Sequence, residues 1–347
     1  MEKKRRRSIL IACLFGAIFV PLLVGGVLYY RYAKQPAFNV DGEKPVWLYV
    51  YPEASWEAVL DSIEERTDAP LLGDLKLQLK MRAKNSPTVG AYTIEPSMTV
   101  QALYNRLVYG MQSPIGISFR SARLPGQIYR RLSKQLLLDS LQVAEAMKDT
   151  VLLHSIGIRD TTLVYYLLPN TYSVYWDITP QALAEKLAGE TAKFWTDERK
   201  AQAVALGLSP YEVINLAAIV QEESAKEDEY PMIAGLYLNR LKMGMRLQAD
   251  PTVKFALQDF GLRRILHKHL RVDSPYNTYK YTGLPPGPIR IPTSAAIDGV
   301  LNATQHDYIY MCAKSDFSGY HAFASTYRQH LQNAQQYVQE LNKRGIN

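Results

Sequence analysis

Chemistry that needs a proton held near neutral pH needs a carboxyl group partly withdrawn from water, because burial disfavours the charged form and raises the pKa. Glu223 is placed for this. Ser209-Pro210-Tyr211-Glu212 reads as a capping box with proline at the first helical position, which starts a helix running through Glu223 or a little beyond. On that helix Glu212, Leu216, Ile219 and Glu223 share one row, so Glu223 follows two apolar turns. Glu222 lies about 100° around the axis, given 3.6 residues per turn, and follows Asn215 and Ala218 on a more polar side. The expectation is a general acid at Glu223 and a Glu222→Gln substitution that costs little. Periodicity alone leaves the plainer and commoner reading open, that Glu223 is an ordinary exposed glutamate in a last helical turn.

The elements around this helix must position it. A second helix starts near Pro231 and stops at Gly244. Beyond it, Arg246–Thr252 and Ser274–Ile291 show little periodicity and are dense in Pro, Gly, Tyr, Asn and Thr. Such stretches are costly as structureless loop in a compact domain, so they are expected to line something. Pro285-Pro286-Gly287-Pro288 reads as a rigid cleft wall. A final helix spans about Ser325–Lys343. Upstream of Ser209 a loose unit recurs: Val46–Tyr51 alternates like a strand, and Trp56, Val59, Leu60 and Ile63 then share a helical face after the N-cap Ser55. Gly90–Ile94 with the helix after Thr99 repeats it, and Thr171–Trp176 with the helix after Thr179 echoes it. Strands interleaved with helices make the fold class α+β.

The whole chain carries a net charge of +7, but seven cations against Glu2 in residues 1–34 account for +6, leaving +1 for the remainder. A nearly neutral body offers no field for phosphates, so no nucleic acid is expected as a partner. Ser8–Tyr30 is free of charge and long enough for a membrane span, which needs roughly 20 apolar residues. The basic Lys3–Arg7 cluster before it should stay cytoplasmic, placing everything after about Lys34 outside. Of the 2 cysteines only Cys312 lies beyond the span, which excludes an intrachain disulfide there. The 6 histidines show no ligand spacing, so neither a metal nor another cofactor is expected.

Three motifs, in order, carry a resemblance. They are Ala217-Ala218-Ile219-Val220-Gln221-Glu222-Glu223, then Asn239-Arg240-Leu241 through Arg246-Leu247-Gln248-Ala249-Asp250-Pro251-Thr252, then Tyr276-Asn277-Thr278-Tyr279 with Gly283–Ile289. The chain so resembles the MltG (YceG-like) endolytic murein transglycosylases. The resemblance implies residues 1–7 as a cytoplasmic tail, 8–30 as a transmembrane helix, 31–44 as a linker, 45–112 as a LysM-like subdomain and 113–347 as a catalytic domain with long cleft-lining loops. It departs at Gln221, where the family has an acid, and at Val164–Tyr172, where an acidic residue and a glycine are replaced. No catalytic role is therefore assigned to either.

What the resemblance implies is a lytic transglycosylase of the inner membrane acting on peptidoglycan glycan strands, with cell-wall synthases as candidate partners. Glu223 would protonate the oxygen between N-acetylmuramic acid and N-acetylglucosamine, then accept a proton from the muramic acid 6-hydroxyl. That oxygen closes on the anomeric carbon as a 1,6-anhydro ring, and elongation of the strand ends. Gln248, Asp250, Asn277 and Tyr279 are candidates to bind sugar groups or to orient Glu223, against the simpler alternative that each stabilises its loop. Two other classes stay open: a hydrolase with Asp250 as a second carboxylate activating water, and a non-enzymatic wall-binding or division-scaffold protein.

Overall fold

The computed structural model describes residues 2–40, 42, 44–82, 86–148, 163–262 and 264–345. The first element is a helix, α1 (Glu2–Ala33), with Pro21 inside it. Its segment Phe15–Ala33 is apolar and long enough to cross a membrane, and exposes Phe15, Phe19, Leu22 and Leu23. The side chains of residues 1–7, the expected cytoplasmic tail, lie outside the described residues.

The chain forms two compact units, Met1–Gly116 with Ser173–Ile178, and Ile117–Tyr172 with Thr179–Asn347. In the first, β1 (Pro36–Phe38) and β2 (Val46–Val50) precede α2 (Trp56–Arg66) and α3 (Leu72–Arg82), followed by β3 (Gly90–Ile94), β4 (Met98–Thr99) and α4 (Val100–Tyr109). β2 pairs antiparallel with β3, Val46 opposite Ile94 and Val50 opposite Gly90, and β1 pairs with β4. Ser55 and Thr99 cap α2 and α4 as the sequence suggests, each hydroxyl accepting from an amide three residues on. Phe38, Leu48, Ile63, Leu75, Tyr92, Leu103 and Leu107 form the core beneath the sheet. The chain passes between units within β5 (Ile115–Ser118) and β6 (Thr171–Val174).

The second unit opens with α5 (Pro125–Ser133) and α6 (Ser140–Ala146), then α7 (Pro180–Phe194) and α8 (Asp197–Ala205). Its centre is α9 (Pro210–Glu223), started by the expected capping box: Ser209 Oγ accepts from Glu212 N, and Glu212 accepts from Ser209 N at 2.7 Å. Every residue from Val213 to Val220 is buried. A helix hydrophobic on one face only was expected; instead α9 is enclosed all round, by α10 (Tyr230–Lys242), α11 (Asp250–Leu257) and α12 (Ser294–Leu301). Asn215, on the side read as polar, is 2% exposed and donates to Pro285 O at 2.6 Å. The hairpin β7 (Tyr310–Ala313) and β8 (His321–Ala324) and the terminal α13 (Tyr327–Lys343) complete the unit.

The stretch read as aperiodic after Gly244 therefore contains α11, which is too short to show two clear turns of periodicity and begins with proline at its second residue. Two glycines let α10 pack closely against α12 and the segment that follows it. A Cβ on Gly235 of α10 would stand 2.3 Å from Thr304 O, and one on Gly299 of α12 would stand 2.6 Å from the Tyr230 Cβ. Gly299→Ala is therefore expected to destabilise the fold by about 1–3 kcal/mol through overpacking, read as a lowered melting temperature. An unchanged melt would mean that α12 and the start of α10 are not packed this closely.

Candidate active site

The last turn of α9 sends three consecutive side chains to three different places. Gln221 Oε1 accepts from Thr293 N at 2.9 Å, holding the residue that caps α12. An amide meets that need, so the position does not require an acid. Glu222 accepts a forked pair of bonds from Arg123, Nε at 2.9 Å and Nη2 at 2.8 Å, and a third from Arg290 Nη1 at 2.9 Å. Arg290 in turn donates through Nε to Ser121 Oγ. The Glu222 side chain is only 11% exposed. Hydrogen bonding to Glu222 raises the Arg123 pKa, whereas burial lowers that of Arg290. Glu222 is therefore not the dispensable surface residue that its helical position suggests: it neutralises two arginines that would otherwise face each other.

Glu223 reaches a cavity of about 250 Å³ with Tyr237, Arg240, Gln248, Asp250, Tyr279 and His321 among its lining residues. Its Oε1 accepts a 2.7 Å hydrogen bond from the hydroxyl of Tyr237, which is itself buried. The Glu223 pKa is pushed up to about 7, first by loss of water around the carboxyl; the Tyr237 bond lowers it, Asp250 raises it, and His321 and Arg240 lower it. Tyr237 has a pKa well above its usual 10.0, chiefly from burial, so it remains a donor. Since Tyr237 donates to Oε1, the proton of neutral Glu223 belongs on Oε2.

Two loops meet below the cavity through backbone and threonine bonds. Gln248 N donates to Thr278 O at 3.1 Å, Ala249 N to Thr278 Oγ1 at 3.0 Å, and the hydroxyls of Thr252 and Thr278 bond at 2.9 Å. Gln248 is in the left-handed region, φ +51°, an uncommon conformation for a non-glycine residue and one found often at functional sites. Asp250 starts α11, where the helix dipole favours its charge, and accepts from Tyr279 Oη at 2.6 Å. Burial, with Asp250 beside it, holds the Tyr279 pKa above its usual value. Gln248, Asp250 and Tyr279 thus come together with Glu223. Asn277 does not line the cavity: it is fully buried, donates to Leu270 O and Val272 O, and accepts from Tyr279 N. Its place is under Tyr279. Pro285–Gly287 packs along α9, beside Tyr211 and Asn215, and does not form a wall of this cavity.

Four residues at or beneath the cavity escaped the sequence reading. Tyr237 and Arg240 lie on the second helix, seven and four residues before Gly244; Arg240 stands in the second motif but is given no role there, and Tyr237 carries no signal of its own. Arg240 Nε donates to Ile309 O at 2.7 Å and its Nη1 to Leu247 O, tying α10 to the loop before α11. His321 and Glu229 pair across 92 positions. Buried Glu229 accepts from His321 N and from His321 Nδ1, both at 2.7 Å, and from Ser224 Oγ at 3.0 Å. A carboxylate can only accept, so Nδ1 carries a hydrogen and Nε2 is the nitrogen left free. Among the described residues, no group of three or more His, Cys, Asp or Glu is arranged to hold a metal ion.

Replacing either glutamate by glutamine separates their tasks. Glu222→Gln should cost about 1–3 kcal/mol, since it leaves partly buried Arg290 with a neutral partner. Glu223→Gln should not. The folded pKa near 7 exceeds the ordinary 4.5, so the folded chain binds the proton more tightly, and stability should fall as pH rises between these values. Glutamine mimics the protonated form and should remove that fall. Melting curves of the wild type and both variants at pH 4.5 and 7.5 test this; a Glu223→Gln chain with undiminished pH dependence would contradict it.

The profile of the YceG-like family matches residues 48–336. A protein of Bacillus subtilis strain 168 named endolytic murein transglycosylase is 26% identical, over 93% of each chain. One of the same name from Streptococcus pneumoniae strain D39 is also 26% identical, across 85% of this chain and 60% of its own. The crystal structure of a YceG-like protein from Listeria monocytogenes superposes with a TM-score of 0.55 at 23% identity, covering 84% of this chain and 99% of that one. A match across most of the sequence, with the same fold, makes this chain a member of the YceG-like family.

Proposed function

We propose that this chain is a membrane-anchored lytic transglycosylase that cuts peptidoglycan strands internally, with Glu223 as its acid and base. The single observation that supports this most is a carboxyl group able to keep its proton near neutral pH, opening on a cavity with Gln248, Asp250 and Tyr279. The relatives named endolytic murein transglycosylase give the reaction class.

Glu223 delivers its proton to the glycosidic oxygen between N-acetylmuramic acid and N-acetylglucosamine, and the bond from that oxygen to the anomeric carbon breaks. Positive charge develops at the anomeric carbon, and Asp250 offers the nearby negative charge that favours it. The 6-hydroxyl of the same muramic acid attacks that carbon, and its proton passes to the Glu223 carboxylate. Glu223 ends protonated, no water is consumed, and the product carries a 1,6-anhydro ring. Because both reacting atoms belong to one sugar, closure is intramolecular and entropically favoured. A well-placed acid–base group contributes typically 10²–10⁴-fold. Gln248 and Tyr279 bind sugar hydroxyl or acetamido groups, while Asn277 supports Tyr279.

In this reading residues 45–112 form a LysM-like subdomain that holds glycan, residues 113–347 form the catalytic domain, and α1 anchors the chain with residues 1–7 in the cytoplasm. Cleavage then takes place outside the membrane on nascent strands, near synthases, and ends their elongation.

Mass spectrometry of strands cut by the full chain should show 1,6-anhydro ends, and Glu223→Gln should abolish cleavage. Reducing ends would instead make Asp250 the activator of a water molecule. The rate should fall above about pH 7, as Glu223 loses its proton. Tyr237→Phe removes a bond that lowers the Glu223 pKa, so it should move this limb to higher pH. Asp250→Asn removes a charge that raises it, and should move the limb to lower pH. Shifts in the same direction would contradict this electrostatic account.

A further inference from the structure

The cavity at Glu223, about 250 Å³, is smaller than the roughly 300–1,000 Å³ usual for a ligand site, and an internal bond of a strand needs sugars on both sides. His321 also lines a second cavity, of about 490 Å³, shared with Tyr308, Lys314, Phe323, Gln329 and Asn333. One imidazole thus borders both spaces, and its bonds to Glu229 fix it there. In the second cavity the Tyr308 and Phe323 rings stack with centroids 5.8 Å apart, giving an apolar aromatic wall. Gln329 and Asn333 stand one turn apart on α13, and their side-chain amides have no hydrogen-bond partner among the described residues. Each amide offers both donors and an acceptor. Asp228 and Lys314 offset each other in charge, Asp228 also accepting from Tyr320 Oη at 2.8 Å, and Glu229 is closed off by Ser224 and His321.

We propose that this second cavity is a subsite for an uncharged N-acetylhexosamine, the sugar adjoining the muramic acid whose bond is cut. An aromatic wall suits the apolar face of a sugar ring, and the paired amides suit the acetamido group and hydroxyls on its rim. Near-neutral charge favours N-acetylglucosamine over the anionic muramic acid. The inference rests on the proposed cleavage of peptidoglycan, in which every muramic acid has N-acetylglucosamine on both sides. The same sugar therefore adjoins it in either direction of the strand.

The test is calorimetric titration of the full chain in detergent, carrying Glu223→Gln so that it does not cut. The probe is a four-sugar fragment of alternating N-acetylglucosamine and N-acetylmuramic acid. Adding Gln329→Ala and Asn333→Ala together should raise the dissociation constant roughly 10–100-fold. If the double variant melts early, Gln329→Ala alone, on an exposed side chain, should still raise it roughly 2–10-fold. Unchanged affinity in these variants, where the Glu223→Gln parent binds, overturns the subsite and leaves the cleavage reading intact. A Glu223→Gln parent that binds no fragment overturns both.

Discussion

The hydrogen bond from Tyr237 to Glu223 is made where protein has already displaced most of the water, and the order of those two effects governs the site. Loss of water is the larger and pushes the carboxyl towards its neutral form. The Tyr237 bond pulls the other way, as do Arg240 and His321, and Asp250 restores part of the rise. The opposing influences leave a carboxyl poised near 7, where donating and regaining a proton are both inexpensive. Tyr237 can act so because its own burial keeps it from ionising. It therefore orients one oxygen of Glu223 and leaves the other to carry the proton.

Such a group needs a helix that cannot rotate. Gln221, Glu222 and Glu223 are consecutive and project in three directions, to the cap of α12, to two arginines and to the cavity. Each contact sets the same helical phase, so a turn of α9 that moved Glu223 would break the other two. Buried residues along Val213–Val220 seat α9 against α10, α11 and α12, and the missing side chains of Gly235 and Gly299 let α10 pack closely against α12 and the segment after it. Function and packing are thus coupled through one helical turn, although the residues beside Glu223 have no chemical task in the proposed reaction.

Much of this was legible in local sequence because its causes are local. The capping box at Ser209 depends on residues three apart, and the caps at Ser55 and Thr99 likewise. The apolar row ending at Glu223 is a property of one helix. Gln248, Asp250 and Tyr279 were traceable through motifs that resemble a known family, and the structure brings their side chains to one cavity with Glu223. The contacts that stayed hidden are long-range. Nothing near Glu222 announces Arg123, 99 positions earlier, or Arg290, 68 positions later. The pairing of Glu229 with His321 depends on the hairpin β7–β8 returning to α10, which no local period records. Asn277 was legible as a loop residue of consequence, but whether an asparagine faces a cavity or staples the backbone depends on where its carbonyl partners lie.

The central claim is that Glu223 keeps its proton to near neutral pH because of where α9 ends. Carbon-13 labelling of glutamate, with the Glu223 carboxyl resonance assigned by its loss in Glu223→Gln, permits direct titration of the full chain in detergent. A midpoint near 7 is the predicted result. A midpoint near 4.5, the ordinary value for a glutamate, would show that water still reaches the carboxyl freely and would contradict the account.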